Sequence, residues 1–482
     1  MALSYFFKKK ATLLLVGITY CNILLGNGPD KPNILLILVD DLGKEWISAY
    51  GAEQIQTPHI DRLAEGGLLF ENFYVMPQCT PSRVTLLTGQ YPFRHGWVNH
   101  WDVPRWGGGV HFDADKNPSL GRLMKSAGYK TAAAGKWQVD DFRVMPDAML
   151  HHGFDAYCMW TGFEAGNPPS AERYWDPYVH TNMGSKTLEG AFGDDVFSDF
   201  LIDFMKSNAD DPLFLYYAMC LTHPPFTNTP AEREVETKYD RHSAMVRYMD
   251  SLVGKMVDAL DELGLRERTI IVFTTDNGTV SAVSGMMNGK KVVGGKSSTS
   301  ERGVCVPFIV NAPGRVPAGK TNALGDLSDI LPTCAAIAQT EVPRNFTFDG
   351  VSLMDVFTGK NVESKREWIL AMGGDGRGSK AALSPKGMEN EYRFRDRVIR
   401  NKTHKLYVSS SRKPVKLVSV IEGKEATENL LDSPDERDAA AFRKLWHAVE
   451  SFPAQDADPF YTPLPPQPWD REVTVPTQTW KK

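Results

Sequence analysis

The run Ile34-Leu35-Leu36-Ile37-Leu38-Val39 passes without a polar break from Pro32-Asn33 into Asp40-Asp41. A continuous apolar stretch of this length predicts a strand covered on both faces, as in a parallel sheet. Similar stretches recur at Leu213–Leu221, Thr269–Thr275 and Val306–Val310, with a shorter one at Lys130–Ala134. Between them the period is helical. Thr57-Pro58 reads as an N-cap followed by proline at the first helical position, and Ile60, Leu63 and Ala64 continue that helix. A helix over about 119–127 is stopped by Gly128. Residues 194–207 are helical by period. A long amphipathic helix over about 242–263 sets Met245, Tyr248, Leu252, Met256, Val257 and Leu260 on one side. Strands alternating with helices predict βαβ units: an α/β fold with a mainly parallel sheet sandwiched by helices.

The pattern shifts after about residue 360. Candidate strands at Arg397–Tyr407 and Pro414–Ile421 are short and charged, one helix falls near 436–451, and the chain then runs into the proline-rich FYTPLPPQPW. This predicts a main domain over 29–360 and a smaller C-terminal α+β subdomain over 361–482. At the other end, Lys8, Lys9 and Lys10 precede an apolar stretch over 11–25 that Thr12, Thr19, Tyr20 and Asn22 interrupt. It is too short and too polar to span a bilayer. It reads as a secretory signal over 1–28, which implies a secreted or periplasmic protein with no stable membrane span.

Composition narrows the function classes. With 482 residues, 42% hydrophobic and 23% charged, the chain is neither disordered nor a disulfide-knotted miniprotein. The net charge of −5 provides no basic field, so nucleic acid is not a general partner. An anionic ligand must be held by a few local cations or by a metal. The six cysteines are irregularly spaced and form no CxxC, which argues against a zinc ribbon or a thioredoxin-like site.

Ligands of open α/β sheets bind beyond the carboxyl ends of the strands, and here those ends carry chemistry. They are Asp40-Asp41, Gly135-Lys136-Trp137-Gln138, Thr222-His223-Pro224-Pro225 and Asp276-Asn277-Gly278. Any one of them is an ordinary polar turn. Together, carboxylates and an amide suit a hard divalent cation, while Lys136 and His223 suit an oxyanion and proton transfer. A helix is also predicted over Val84–Leu87, with Pro81 and Ser82 near its start. Cys79 then lies just before a helix N-terminus, where backbone N–H groups favour negative charge.

The strings Cys79-Thr80-Pro81-Ser82-Arg83 and Leu86-Leu87-Thr88-Gly89 resemble the signature of the type I sulfatases of the alkaline phosphatase superfamily. The resemblance extends over about 32–315 and includes PNILLILVDD, GKW, HPPF, TDNG and GGKSSTSERG. It implies an alkaline-phosphatase-like fold and hydrolysis of a sulfate monoester. It also implies that a transient formylglycine-generating enzyme oxidises Cys79 to Cα-formylglycine. The hydrated aldehyde offers two hydroxyls: one attacks sulfur, and the other collapses to expel sulfate. By the same resemblance Asp40, Asp41, Asp276 and Asn277, with the oxidised Cys79, hold Ca2+, or alternatively Mg2+. Arg83 fixes the hydrate, Lys136 and Lys296 hold sulfate oxygens, and His223 is the favoured acid at the leaving oxygen. Gln138 departs from the family pattern GKWH, whose histidine is the base for sulfate release; glutamine can hydrogen-bond but cannot usefully accept a proton. The loop after Lys296 also departs, ending Glu301-Arg302-Gly303 where EGG is commoner.

Substrate contacts are weakly encoded. The stretch 97–111 (WVNHWDVPRWGGGVH) suggests an aromatic platform for a sulfated sugar or other sulfated small molecule, with Trp97, His100 and Trp101 beside Gln138 as candidates. The competing reading has those indoles packed inward. A second loop candidate is 160–178. Two alternatives to a sulfatase are a phosphonate or phosphate ester hydrolase of the same superfamily, and a sulfoglycan-binding protein with weak turnover.

Overall fold

In the computed structural model the described residues are 31–98, 112–162, 164, 166–373, 381–384, 387–390, 394–421, 423–458 and 468. The expected signal segment and most of the proline-rich end lie outside them, as do His100 and Trp101. In chain order the strands of the main sheet and one hairpin are β1 (Asn33–Val39), β2 (Leu68–Tyr74), β3 (Lys130–Lys136), β4 (Ala156–Trp160), β5 (Tyr178–Thr181), β6 (Gly184–Thr187), β7 (Leu213–Ala218), β8 (Thr269–Thr275), β9 (Ser284–Met287), β10 (Lys290–Val293), β11 (Cys305–Val306), β12 (Phe308–Asn311) and β13 (Gly319–Asp326).

All seven residues of β1 are buried because β1 is a central strand, parallel to β7 on one side and to β8 on the other. The sheet order is β11-β2-β12-β8-β1-β7-β3-β4-β5-β6, with β13 beside β2. Strands β8, β1, β7, β3 and β4 are mutually parallel. Both flanks turn antiparallel, at β12 against β8 and at β5 against β4. Alternate residues of β1 feed two cores. Ile34, Leu36 and Leu38 join one with Phe214 and Tyr216, while Leu35, Ile37 and Val39 join the other with Leu215 and Tyr217. Each buried Leu or Ile contributes roughly 1.5–3 kcal/mol by its transfer out of water. The apolar run therefore belongs to a strand with helices packed on both faces.

Most of the predicted elements form, with differences that have local causes. The stretch 306–310 is two strands, β11 and β12, because Pro307 has no N–H to donate. The charged stretch 397–407 is a hairpin, Arg397–Arg400 against His404–Val408, turned by Asn401, whose side-chain oxygen accepts from the backbone N–H of Thr403 and His404. Thr57 precedes the helix Pro58–Glu65, but its hydroxyl accepts from the Ser48 N–H rather than capping the helix.

The C-terminal part is a five-stranded antiparallel sheet: Ile369–Met372, Arg397–Arg400, His404–Val408, Pro414–Ile421 and Lys424–Glu425. The helix Glu436–Ser451 packs against it. Among the described residues no helix is long and apolar enough to cross a membrane.

Candidate active site

The carboxyl ends of the parallel strands bring the candidate residues to one rim. β1 delivers Asp40 and Asp41, β8 delivers Asp276 and Asn277, β3 ends at Lys136, and the segment after β7 carries His223. Backbone bonds tie these ends together. Asp40 N–H donates to Leu221 O at 2.8 Å and Asp276 N–H to Val39 O at 3.0 Å. Asp41 adopts a left-handed backbone (φ 62°), a conformation that short polar side chains tolerate. Its N–H donates to Asp276 Oδ1 at 3.2 Å.

Cys79 is the first residue of the helix Cys79–Thr88, not the residue before it as expected; Gln78 is the N-cap. All ten residues of this helix are buried, and it ends at Gly89, whose φ of 67° closes the left-handed cap. The helix dipole puts partial positive charge at this amino end, beside Cys79. Ligand atoms of Cys79, Asp40 and Asp276 all lie within 4.8 Å of one another, as do those of Asp40, Asp41 and His223.

Three carboxylates and three cations interlock around this point. Arg83 donates through Nε and Nη2 to Asp276 Oδ2 at 3.1 and 2.8 Å, and through Nη1 to Lys136 O at 3.0 Å. Lys136 Nζ donates to Asp40 Oδ2 at 2.6 Å. Lys296 Nζ donates to both oxygens of Asp41, at 2.5 and 2.7 Å. Asn277 Nδ2 donates to Asp41 Oδ1 at 2.7 Å. Among the described residues, Asp40 Oδ1 and Asn277 Oδ1 of this cluster remain buried without a hydrogen bond.

Burial dominates the electrostatics of the site. Burial pushes Asp276 up to about 7 and Asp41 up to about 6, although Arg83 and Lys296 oppose the shifts. Burial acts on Asp40 too, yet Lys136, His223, Arg83 and Lys296 together hold it well below the usual carboxylate range. The two orphaned oxygens and the oxygen-rich donor set fit a hard divalent ion. Burial, then the charge of Lys296, hold the His223 imidazole well below its ordinary range and so neutral.

The Sulfatase family model matches residues 32–340, more than half of the chain. The chain belongs to the sulfatase family. It is 32% identical to the N-acetylgalactosamine-6-sulfatase of Canis lupus familiaris over 372 residues, covering 72% of this chain and 70% of that relative. It is 32% identical to arylsulfatase A of Bos taurus over 457 residues, covering 84% of each. Among solved structures, Ps i-CgsB superposes with a TM-score of 0.71 at 25% identity, over 89% of this chain and 94% of the other. The phosphonate monoester hydrolase of Agrobacterium radiobacter shares the fold at a TM-score of 0.62 and 17% identity, over 87% of this chain and 96% of that one. The chain is thus a sulfuric ester hydrolase of alkaline-phosphatase-like fold. Sulfatases generally work with a formylglycine and a divalent metal, and the acidic cluster here can hold one.

In this sulfatase the nine residues expected to do the chemistry or hold the metal converge on the one rim, apart from those proposed to contact substrate. Trp97 is corrected. It is 1% exposed, packed against Phe112 at 5.4 Å and His95 at 6.4 Å, and offers no face to a sugar. Gln138 does stand at the rim, two residues after Lys136, with a left-handed backbone (φ 65°) and a buried Oε1 that has no partner. Arg173 lies in the candidate loop 160–178, but the sequence did not single it out. Its Nη2 lies 3.1 Å from His223 Nδ1, and its guanidinium stacks on Trp160 at 4.5 Å. A single arginine in an irregular segment carries no signal of that proximity.

Proposed function

We propose that this sulfatase hydrolyses a sulfate monoester carried by a sugar, with Cys79 oxidised to formylglycine as nucleophile and a divalent cation, Ca2+ foremost, at the acidic cluster. The observation that carries this reading is the grouping of Cys79, Asp40 and Asp276 within 4.8 Å at the start of a buried helix. Asp40, Asp41, Asp276 and Asn277 would hold the cation, which would supply charge to activate the attacking hydroxyl and polarise sulfate.

The remaining work belongs to the chain's own side chains. Arg83, clamped by Asp276 and the Lys136 carbonyl, is fixed before substrate arrives and orients the group at position 79. Lys136 and Lys296 are kept charged by their carboxylate partners, against burial, and are available to sulfate oxygens. His223, neutral in the resting site and with Nε2 3.7 Å from Asp41 Oδ2, would help charged Lys296 give its proton to the departing alcohol. Gln138 hydrogen-bonds but moves no proton.

A sugar substrate is supported by relatives named for N-acetylgalactosamine 6-sulfate and by the Ps i-CgsB structure in complex with k-i-k-neocarrahexaose. The basic and apolar start of the chain supports export to the periplasm or beyond, where sulfated glycans are met. The test is a comparison of 4-nitrophenyl sulfate with an aryl phosphonate on protein carrying the modified residue. Faster release from the sulfate supports the reading. A preference for the phosphonate would replace it with the phosphonate hydrolase alternative.

A further inference from the structure

Three carboxylates of the inner cluster face three cations, Arg83, Lys136 and Lys296. Arg173 is a fourth cation at the same rim, and among the described residues no carboxylate is bonded to it. Its guanidinium meets the His223 ring and the Pro224 carbonyl through Nη2, lies over the rings of Trp160 and Tyr174, and shares a hydrogen bond with the Tyr174 side chain; Asp40 acts on it only through space. Its Nε is buried with no hydrogen-bond partner. An arginine so enclosed ordinarily meets a carboxylate or phosphate in bidentate fashion.

Its placement is built rather than incidental. Trp160 is the last residue of β4 and lies in register with Lys136 of β3, so the ring under Arg173 stands on the strand next to a proposed sulfate-binding lysine. His223, proposed to assist proton transfer to the leaving oxygen, lies on the other side, 3.1 Å from Arg173 Nη2. Gly162, two residues after Trp160, adjoins the Gln138 side chain. Arg173 is therefore one imidazole ring from the acidic cluster, on the side where the alcohol part of a substrate departs. Stacking on Trp160 holds the guanidinium plane without neutralising it.

We propose that Arg173 binds a second anionic group of the substrate, a sulfate or a carboxylate beside the ester that is cleaved. This rests on the sulfatase reading above and narrows its substrate class to multiply anionic saccharides. A neutral leaving sugar would leave the arginine without a directly bonded anion, whereas a dianionic substrate completes its charge-assisted bonds.

The test is competition against 4-nitrophenyl sulfate turnover by the modified protein. The competitors are N-acetylgalactosamine 6-sulfate, N-acetylgalactosamine 4,6-disulfate and an unsaturated uronic acid disaccharide carrying one 6-sulfate. The wild type is expected to bind at least one dianionic competitor ten-fold or more tighter than the monosulfate. The disulfate and uronate arms separate a second sulfate from a carboxylate. In Arg173→Gln the preference falls to within about two-fold, and Arg173→Lys keeps part of it. A merely positioning role through His223 would weaken all three competitors alike and would overturn the proposal, as would a wild type with no preference. The wild-type comparison stands even if a variant fails to fold. If 4-nitrophenyl sulfate is not hydrolysed at all, the sulfatase reading fails, and calorimetric titration of the same three sugars still decides the role of Arg173.

Discussion

At the residue scale the chemistry rests on groups that burial would ruin unless they were paired. Arg83, Lys136 and Lys296 each sit on a buried carboxylate, and removing one partner of such a pair typically costs about 3–5 kcal/mol. The strand-end acids were legible because polar residues directly after apolar runs have few other reasons to recur four times. Cys79 and Arg83 were legible only through the family signature; their spacing alone fits any helix start. Trp97 and Arg173 show what a sequence leaves open. An indole in a loop packs inward or outward with equal ease, and Arg173 acquires its role from His223, a residue distant in sequence that folding brings to 3.1 Å. Gln138 yields a prediction at this scale. Glutamine offers no base, so Gln138→His is expected to raise kcat for sulfate release. Equal kcat values in the two proteins would mean that another group takes that proton.

At the element scale, what had to be right was the end of each strand and the start of each helix. β1 and β8 were readable to within a residue because an unbroken run of apolar and β-branched residues stops directly at Asp40 and Asp276. The break at Pro307 and the turn at Asn401 were missed because each lies inside a stretch whose apolar or charged pattern runs on through it. The helix Gly193–Ser207 carries a further buried titratable group, Asp194, near enough to the site to feel the charge of Asp40. Asp194 Oδ1 accepts from Cys220 N–H at 3.1 Å, and burial, offset only in part by such bonds, pushes its carboxyl up to about 8. The native state therefore keeps a proton that the unfolded chain releases near its ordinary value of about 3.9. Stability from this group is fully present below that value and is lost as pH rises through about 8. Urea unfolding of the wild type is expected to show falling stability between pH 5 and 8, to which Asp41 and Asp276 also contribute, and Asp194→Asn to lose part of that slope, most clearly between pH 7 and 8. An identical slope in both proteins would assign it elsewhere.

At the scale of the whole molecule, the C-terminal sheet is tied to the loop that bears Lys296. Arg400 donates to Glu301 Oε2 at 3.1 Å and to Asn72 Oδ1 at 3.2 Å, and Lys405 Nζ donates to Glu301 Oε1 at 3.0 Å. Glu301 thus joins the tail to the segment just after Lys296. The change in pattern after residue 360 announced a separate sheet, but not this connection, since ion pairs between distant segments have no periodic trace. A cation that binds the folded site and not the unfolded chain stabilises the whole domain by mass action, about 2.7 kcal/mol at a hundred-fold excess over Kd. Chelation is expected to lower the thermal midpoint of the modified protein and abolish sulfate release, and Ca2+ to restore both. A midpoint indifferent to chelator and Ca2+ would argue against a resident metal.

The account turns on the chemical state of residue 79 in active protein. Peptide mass spectrometry across Cys79, on material purified from its own host and releasing sulfate from 4-nitrophenyl sulfate, is predicted to find the aldehyde of formylglycine, trappable by a hydrazine reagent. An unmodified thiol throughout a preparation with that activity would contradict it.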